Sequence, residues 1–241
     1  MLTDLRSAAY AGFMVVATIL MAIICLPTLL APRRVAERAT RVWARLMLWG
    51  LKSFCGLSHR AIGAENRPEG AAIVAAKHQS AWETIAFIVE LPRPVVILKK
   101  ELLNIPIYGW WARKCGHIAI DRSAGAKALR QMTAAVQAAL DDGRQVVIFP
   151  EGTRVAPGEE KPLQPGISGL YQRTGAPVIP VAHDSGVFWR HPGLRRASGV
   201  ITLSYLQPLP GGLDRRSFQS QLKHAIDAET ARLLAAPANR P

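Results

Sequence analysis

Cysteine is scarce in this chain, and Cys25, Cys55 and Cys115 are odd in number, far apart and without a C-x-x-C pair. Neither a disulfide framework nor a cysteine zinc site is expected from them. The six histidines, His59, His78, His117, His183, His191 and His224, also lack paired ligand spacing, so no metal is expected. Charge is sparse at 20%, against 49% hydrophobic residues, which rules out an intrinsically disordered polymer. No internal repeat is present, so a solenoid is not indicated. Acidic residues are the scarcest class relative to their partners, 17 against 30 basic ones for a formal net charge of +13. Such an excess suits an anionic partner: phospholipid headgroups, nucleic acid or a phosphorylated substrate. At 241 residues, the chain has room for one α/β unit plus an accessory segment.

Residues Ala8 to Ala31 contain no charge and include Phe13, Val15, Val16, Ile19, Leu20, Ile23 and Ile24. As a helix, this stretch is long enough to cross roughly 30 Å of hydrocarbon. It is too long for a signal-peptide core, and no A-x-A site follows it. Pro27 leaves two arrangements open: a kinked transmembrane span, or a helix lying within one leaflet. Beyond it, Glu37 is the only acidic residue between Arg33 and Arg60, among seven basic ones. By the positive-inside rule, this flank and the long remainder of the chain face the cytoplasm. Arg34, Arg38, Arg41 and Arg45 repeat at helical spacing beside Val35, Val42, Leu46 and Trp49, the pattern of a basic amphipathic helix on an anionic membrane surface. An ordinary solvated helix face fits the same spacing.

Strands are predicted over Ala71 to Ala76, Val95 to Leu98, His117 to Ile120, Gln145 to Phe149, Val178 to Ala182 and Val200 to Tyr205. A helix is predicted over Ala124 to Asp142, with Ser123 as cap and Gly143 as stop, and another over Arg215 to Leu234. The alternation indicates an α/β fold: a mixed, largely parallel sheet flanked by helices, preceded by an N-terminal membrane helix and the basic amphipathic helix. The expected organisation is a membrane-anchoring segment over 1–60, a cytoplasmic domain over 61–236 and a frayed tail over 237–241.

After the first predicted strand comes Lys77-His78-Gln79-Ser80-Ala81-Trp82-Glu83. His78 and Glu83 do not share a face of an ideal helix, so they meet only across a helix start. Ser80 and Glu83 have capping-box spacing, which supplies such a start. Two readings follow. Either Glu83 caps and His78 is a loop histidine, or His78 takes a proton from an attacking hydroxyl while Glu83 fixes its tautomer. The layout is that of a charge-supported histidine without a nucleophilic serine of its own, so in the second reading the nucleophile belongs to the substrate, with Gln79 and Ser80 near enough to donate to an oxyanion.

A second constellation, Phe149-Pro150-Glu151-Gly152-Thr153-Arg154, follows the apolar Val146-Val147-Ile148. Gly152 permits close backbone approach, Thr153 offers a hydroxyl, and Arg154 a fork suited to phosphate or carboxylate; a turn closed by a Glu151 to Arg154 ion pair is the plainer alternative. Asp121 and Arg122 end another strand, as a rim ion pair or as part of an anion site, and Lys99 and Lys100 end a third. The adjacent His183 and Asp184 face opposite sides of a strand and read as structural.

Taken in order, the blocks at His78 to Glu83, Gly116 to Arg122, Phe149 to Arg154 and Val178 to Val181 resemble the glycerophospholipid acyltransferase family, and within it the bacterial 1-acyl-sn-glycerol-3-phosphate acyltransferases. The resemblance implies transfer of a fatty acyl group from acyl-CoA or acyl-acyl carrier protein to the sn-2 hydroxyl of lysophosphatidic acid, at the inner membrane. It implies His78 as general base and Glu83 as its charge partner. Arg122, Glu151, Gly152, Thr153 and Arg154 would bind the acceptor, with Lys99 and Lys100 adding positive charge, and Val178 to Val181 would form a pocket wall. No cofactor, metal or covalent enzyme intermediate is required. The family usually has Asn and Asp where this chain has Lys77 and Glu83. Another lysolipid acceptor, such as a lyso-ornithine lipid, and a membrane-tethered anion-binding protein without catalysis are the alternatives. Nucleic acid is not expected, because the basic excess sits beside an apolar segment rather than interleaved with aromatics on a sheet.

Overall fold

The computed structural model describes residues 2–121, 125–190 and 192–236. The chain opens with helix α1 (Leu2–Cys25), a short turn of 3-10 helix over Leu26–Leu29, and helix α2 (Arg33–Cys55). Pro27 sits in the 3-10 turn, where its missing N–H is harmless, and Gly56 ends α2 in the left-handed region at φ 65°. There follow β1 (Leu57–Ile62), β2 (Ala72–Ala76), α3 (Trp82–Glu90), β3 (Pro94–Lys99), α4 (Tyr108–Lys114) and β4 (Ile118–Ile120). Then come α5 (Gly125–Asp141), β5 (Gln145–Ile148), α6 (Pro165–Thr174), β6 (Val178–His183), α7 (Ser185–Phe188), β7 (Gly199–Tyr205) and α8 (Arg215–Ala235).

The seven strands form one sheet in the order β1-β7-β6-β2-β5-β3-β4. All neighbours are parallel except β6 and β7. Six strands lie where the apolar runs predict them. The seventh, β1, was not expected, and it crosses residue 60, where the sequence puts the segment boundary; the helical segment therefore runs directly into the sheet. Ser123, Ala124 and the 237–241 tail lie outside the described residues.

Central β2 shows how side-chain alternation builds two layers. Ala72, Val74 and Ala76 pack into a core shared with α1, α2 and α3, while Ile73 and Ala75 pack into the opposite core under α5, α6 and α8. Val178 to Val181, expected to wall a pocket, is instead wholly buried in β6 beside β2, because a strand inside the sheet gives its side chains to the two cores.

Helices α1 and α2 pack antiparallel, with Tyr10 Oη donating to Met47 O at 3.2 Å and Trp43 Nε1 donating to Thr18 Oγ1 at 3.0 Å. Gly50 is required there, since a Cβ at this position would lie 2.2 Å from the Phe13 ring. The pair is bolted to the sheet layer. Arg196 is sandwiched between the rings of Tyr10 and Trp189, and buried Arg144 reaches Glu37 of α2 at 3.1 Å. The outer side of α1 exposes Val15, Val16, Ile19, Leu20, Ile23 and Ile24. Beside it, the outer side of α2 carries Arg34, Arg38, Arg45 and Lys52 with Val35, Val42 and Trp49. Among the described residues, α1 with its 3-10 extension is the helix long and apolar enough to cross a membrane, by length and composition alone.

Candidate active site

The order of strands reverses around β2: β3 lies beyond β5 on one side, while β6 lies on the other. The carboxyl ends of strands flanking such a switch point form a crevice. His78 follows β2, Gly152 to Arg154 follow β5 and Lys99 ends β3, so the topology gathers two of the sequence blocks and Lys99 at one edge.

His78 Nδ1 lies 2.8 Å from Glu83 Oε1. The pair meets across a helix start, as its spacing requires. Assigned helix α3 begins at Trp82 with Ala81 as N-cap, one residue later than Ser80 would place it. One bond of a capping box is nevertheless made, Glu83 Oε1 accepting the Ser80 N–H at 2.8 Å, while Ser80 Oγ accepts the Trp82 N–H at 3.0 Å in place of that of Glu83.

Capping and charge support are thus the same arrangement. Glu83 is fully buried and takes five donors: His78 Nδ1, Gln79 N, Ser80 N, Ser80 Oγ and Ser185 Oγ. Burial works against its charge, but His183, His78 and the Ser80 hydroxyl outweigh it and draw the carboxyl from 4.5 down to about 2. An ionised Glu83 accepts only, so His78 carries its proton on Nδ1 and its lone pair on Nε2. The imidazole is stacked on the Phe149 ring, with centroids 4.2 Å apart.

The expectation that Gln79 and Ser80 serve an oxyanion does not hold. Both backbone N–H groups and the Ser80 hydroxyl are spent on Glu83, Gln79 Oε1 accepts the Gly186 N–H at 3.0 Å, and the remaining donor, Gln79 Nε2, is buried, with neither residue lining the cavity described below. His183 is buried and structural: burial lowers its pKa, and its Nε2 donates to Lys77 O at 2.8 Å.

The loop after β5 clasps the histidine loop. Val155 N–H donates to His78 O at 2.8 Å, and Arg154 Nε donates to Ser80 O at 3.1 Å. Glu151 does not close a turn with Arg154; its carboxylate is buried, 2.6 Å from Lys77 Nζ and accepting the His78 N–H at 3.0 Å. Gly152 adopts φ 71°, which only glycine takes easily. Thr153 and Lys99 are exposed, and Lys100 is exposed and paired with Asp121 at 3.2 Å. Arg122 lies outside the described residues.

His78, Gly152, Thr153, Arg154 and Lys99 line a cavity of about 1050 Å³ whose remaining lining is mostly apolar. Its walls come from α1 (Met21, Ala22), α3 (Ile85, Ile88), the segment before α4 and α5 (Leu129, Met132). Ile107, also in the wall, sits at φ 68° in a turn closed by Tyr108 N–H donating to Pro106 O at 2.7 Å. A β-branched residue there stores about 1–3 kcal/mol of strain. His117 is the polar intrusion: its Nδ1 accepts the Val96 N–H, and burial with Arg144 nearby pushes its pKa down to about 4, so it is neutral. Sequence reasoning missed Ser185 and the stacking Phe149; the first follows directly on the His183-Asp184 pair already noted, and the second opens the Phe149 to Arg154 block.

The cavity and the charge-supported histidine can be compared with known proteins. A 1-acyl-sn-glycerol-3-phosphate acyltransferase of Pseudomonas aeruginosa is 37% identical over 160 residues, covering 66% of this chain and 62% of that one. The human 1-acyl-sn-glycerol-3-phosphate acyltransferase alpha is 31% identical over 169 residues, covering 69% and 60% respectively. The chain therefore spans about three fifths of the length of these curated relatives. In three dimensions it is similar to the crystal structure of the 1-acyl-sn-glycerophosphate (LPA) acyltransferase from Thermotoga maritima, with a TM-score of 0.81 over 97% of both chains at 19% identity, a likeness of fold. A family model described as Acyltransferase matches residues 59–184, which hold the histidine block, the Phe149 to Arg154 loop and the strands that present them. The chain belongs to the acyltransferase family.

Proposed function

We propose that this chain transfers a fatty acyl group from a thioester donor, acyl-CoA or acyl-acyl carrier protein, to the sn-2 hydroxyl of lysophosphatidic acid, forming phosphatidic acid. The observation that carries this reading is that His78, paired with Glu83, lines a large, mostly apolar cavity. The acceptor hydroxyl attacks the thioester carbonyl carbon while His78 Nε2 takes its proton. The tetrahedral intermediate expels the thiolate, which recovers that proton from the imidazolium. Glu83 stays ionised throughout and compensates the imidazolium charge. Each methylene buried in the cavity contributes about 0.8 kcal/mol to holding an acyl chain. The relatives' names point to the acceptor, and Arg154 and Lys99 in the cavity lining suit its phosphate.

The surface of α1 supports membrane binding in one leaflet rather than a crossing. Ser7, Tyr10 and Ala17 are buried against the domain, and Thr18, Met21, Ala22 and Cys25 line the cavity, so the helix is docked along its length. Its outward stripe is apolar, and the arginines of α2 lie beside it at the level of anionic headgroups. The basic flank favours the cytoplasmic face of the inner membrane.

Phosphatidic acid formation is the test, using membranes that contain wild-type protein or His78→Ala at matched expression, with lysophosphatidic acid and either donor. Activity lost only in the variant is the expected result. A wild type inactive with both donors refutes the acceptor, and other lysolipids are then the substrates to assay.

A further inference from the structure

Lys77 stands where the family usually has asparagine, and its surroundings are unusual for a lysine. It directly follows β2, with its side chain 2% exposed. Its Nζ lies 2.6 Å from Glu151 Oε1 and 2.9 Å from Asp227 Oδ1, on α8. Asp227 is shared with Lys223, which also pairs with Glu160. His183 holds the Lys77 carbonyl from behind. Charges therefore alternate from the surface of α8 to the loop after β5.

The last member of that chain touches the site. Glu151 Oε2 accepts the His78 N–H, while His78 O accepts the Val155 N–H. Both backbone polar groups of His78 are fixed by the loop after β5, one of them through a buried carboxylate. Burial raises the pKa of that carboxylate and Lys77 opposes the rise. A buried carboxylate stripped of its partner leaves an uncompensated charge.

We infer that Lys77 is a positioning residue for acyl transfer: its ammonium holds the Glu151 carboxylate on the His78 N–H and so sets where His78 Nε2 meets the acceptor hydroxyl. This rests on the acyltransfer reading above. Lys77 lies behind the catalytic loop and outside the cavity lining, so its effect falls on turnover rather than on substrate binding.

The test compares full-length wild type, Lys77→Met and Lys77→Met/Glu151→Gln in one detergent, with kcat expressed per folded molecule from circular dichroism. In the double variant the buried pair is neutral, and the amide oxygen that replaces the Glu151 carboxylate still accepts the His78 N–H. Lys77→Met is expected to lose about 100-fold in kcat, the scale of a small misplacement, with KM for lysophosphatidic acid within about twofold. Adding Glu151→Gln is expected to recover about tenfold or more, because replacing both members of a buried pair avoids the uncompensated charge. A purely structural lysine would lower the unfolding midpoint and leave kcat per folded molecule unchanged. Wild-type kcat in Lys77→Met, or a folded double variant no faster than the single, overturns the inference. If Lys77→Met does not fold, the double variant decides: kcat within about tenfold of wild type supports the inference, and a larger loss or failure to fold overturns it. Inactive wild type would count instead against the acyltransfer reading.

Discussion

Ser185 Oγ donates to Glu83 Oε2 at 3.0 Å across 102 residues of sequence. The same hydroxyl lies 2.8 Å from Ser80 Oγ, so the carboxylate of the dyad is gripped from two directions, by the loop after β2 and by the first turn of α7. Removing one grip separates the contribution of tautomer control from that of orientation.

Ser185→Ala takes one donor from a buried carboxylate. A hydrogen bond to a charged group contributes about 1.5–3 kcal/mol, so denaturant unfolding should show a loss in that range. His78 Nδ1 keeps its bond, and kcat should fall by no more than about tenfold, which initial rates will check.

Glu83→Gln has a harsher consequence. An amide in place of the carboxylate brings an NH₂ against donors and removes the charge that supports the imidazolium. Turnover should fall by about 10³–10⁴-fold, the scale seen when a histidine loses its acidic partner and adopts the wrong tautomer. Near-normal turnover in folded protein would relegate Glu83 to capping.

Acid stability should decline in two windows. His117 titrates at about 4 when folded and 6.5 in the reference state, so the unfolded chain binds the extra proton and stability falls as pH drops from 6.5 toward 4. Glu83 has a folded pKa depressed from 4.5 to about 2; its contribution is fully present above 4.5 and disappears as pH drops toward 2. Each window corresponds to about 3 kcal/mol. Unfolding curves for His117→Asn should show a shallower first decline, the remainder coming from buried His183, whose pKa is lowered in the same direction, and those for Glu83→Gln a shallower second one.

Glu37 is the sole acid in the basic stretch before β1, and it faces Arg144, whose side chain is 2% exposed. Glu37→Gln leaves that guanidinium without its carboxylate and should lower stability by about 3 kcal/mol, measurable as a shift in denaturation midpoint.

Charges on the outward stripe of α1 should act on partition and not on chemistry. Leu20→Glu with Ile24→Glu places two carboxylates where the protein is proposed to meet lipid. Flotation with phosphatidylethanolamine and phosphatidylglycerol vesicles should drop by about 100-fold or more, since each charge at such a depth costs a few kcal/mol. Activity on a short-chain lysolipid dispersed in detergent should persist.

Local patterns were legible in the sequence, and distant pairings were not. Ile73 to Ala76 and Val146 to Ile148 announce buried strands because both of their faces are apolar. Strand β1 escapes notice because Ser58, His59 and Arg60 lie on a sheet edge where no apolar run is needed. Helix α6 holds Gly166 and Gly169, which tertiary packing overrides. His78 and Glu83 are five residues apart and could be read together. Lys77 with Asp227, and Glu37 with Arg144, are joined only by the fold. Nothing local in the sequence marks either pair, because the partners are 150 and 107 residues apart.

Helix α1 presents Val16, Ile19 and Leu20 outward, yet Thr18, Met21 and Ala22, interleaved with them, line the cavity. On the membrane reading proposed above, one helix is thus both float and wall. A shortened protein beginning at α2 would lose more than its affinity for lipid: the cavity would open along one side and the apolar surfaces of Trp43, Met47 and Ile85 would meet water. Engineering a soluble form by trimming the greasy end would therefore alter which chains it can hold. Recolouring the outer stripe, residue by residue, is the route that leaves the wall standing.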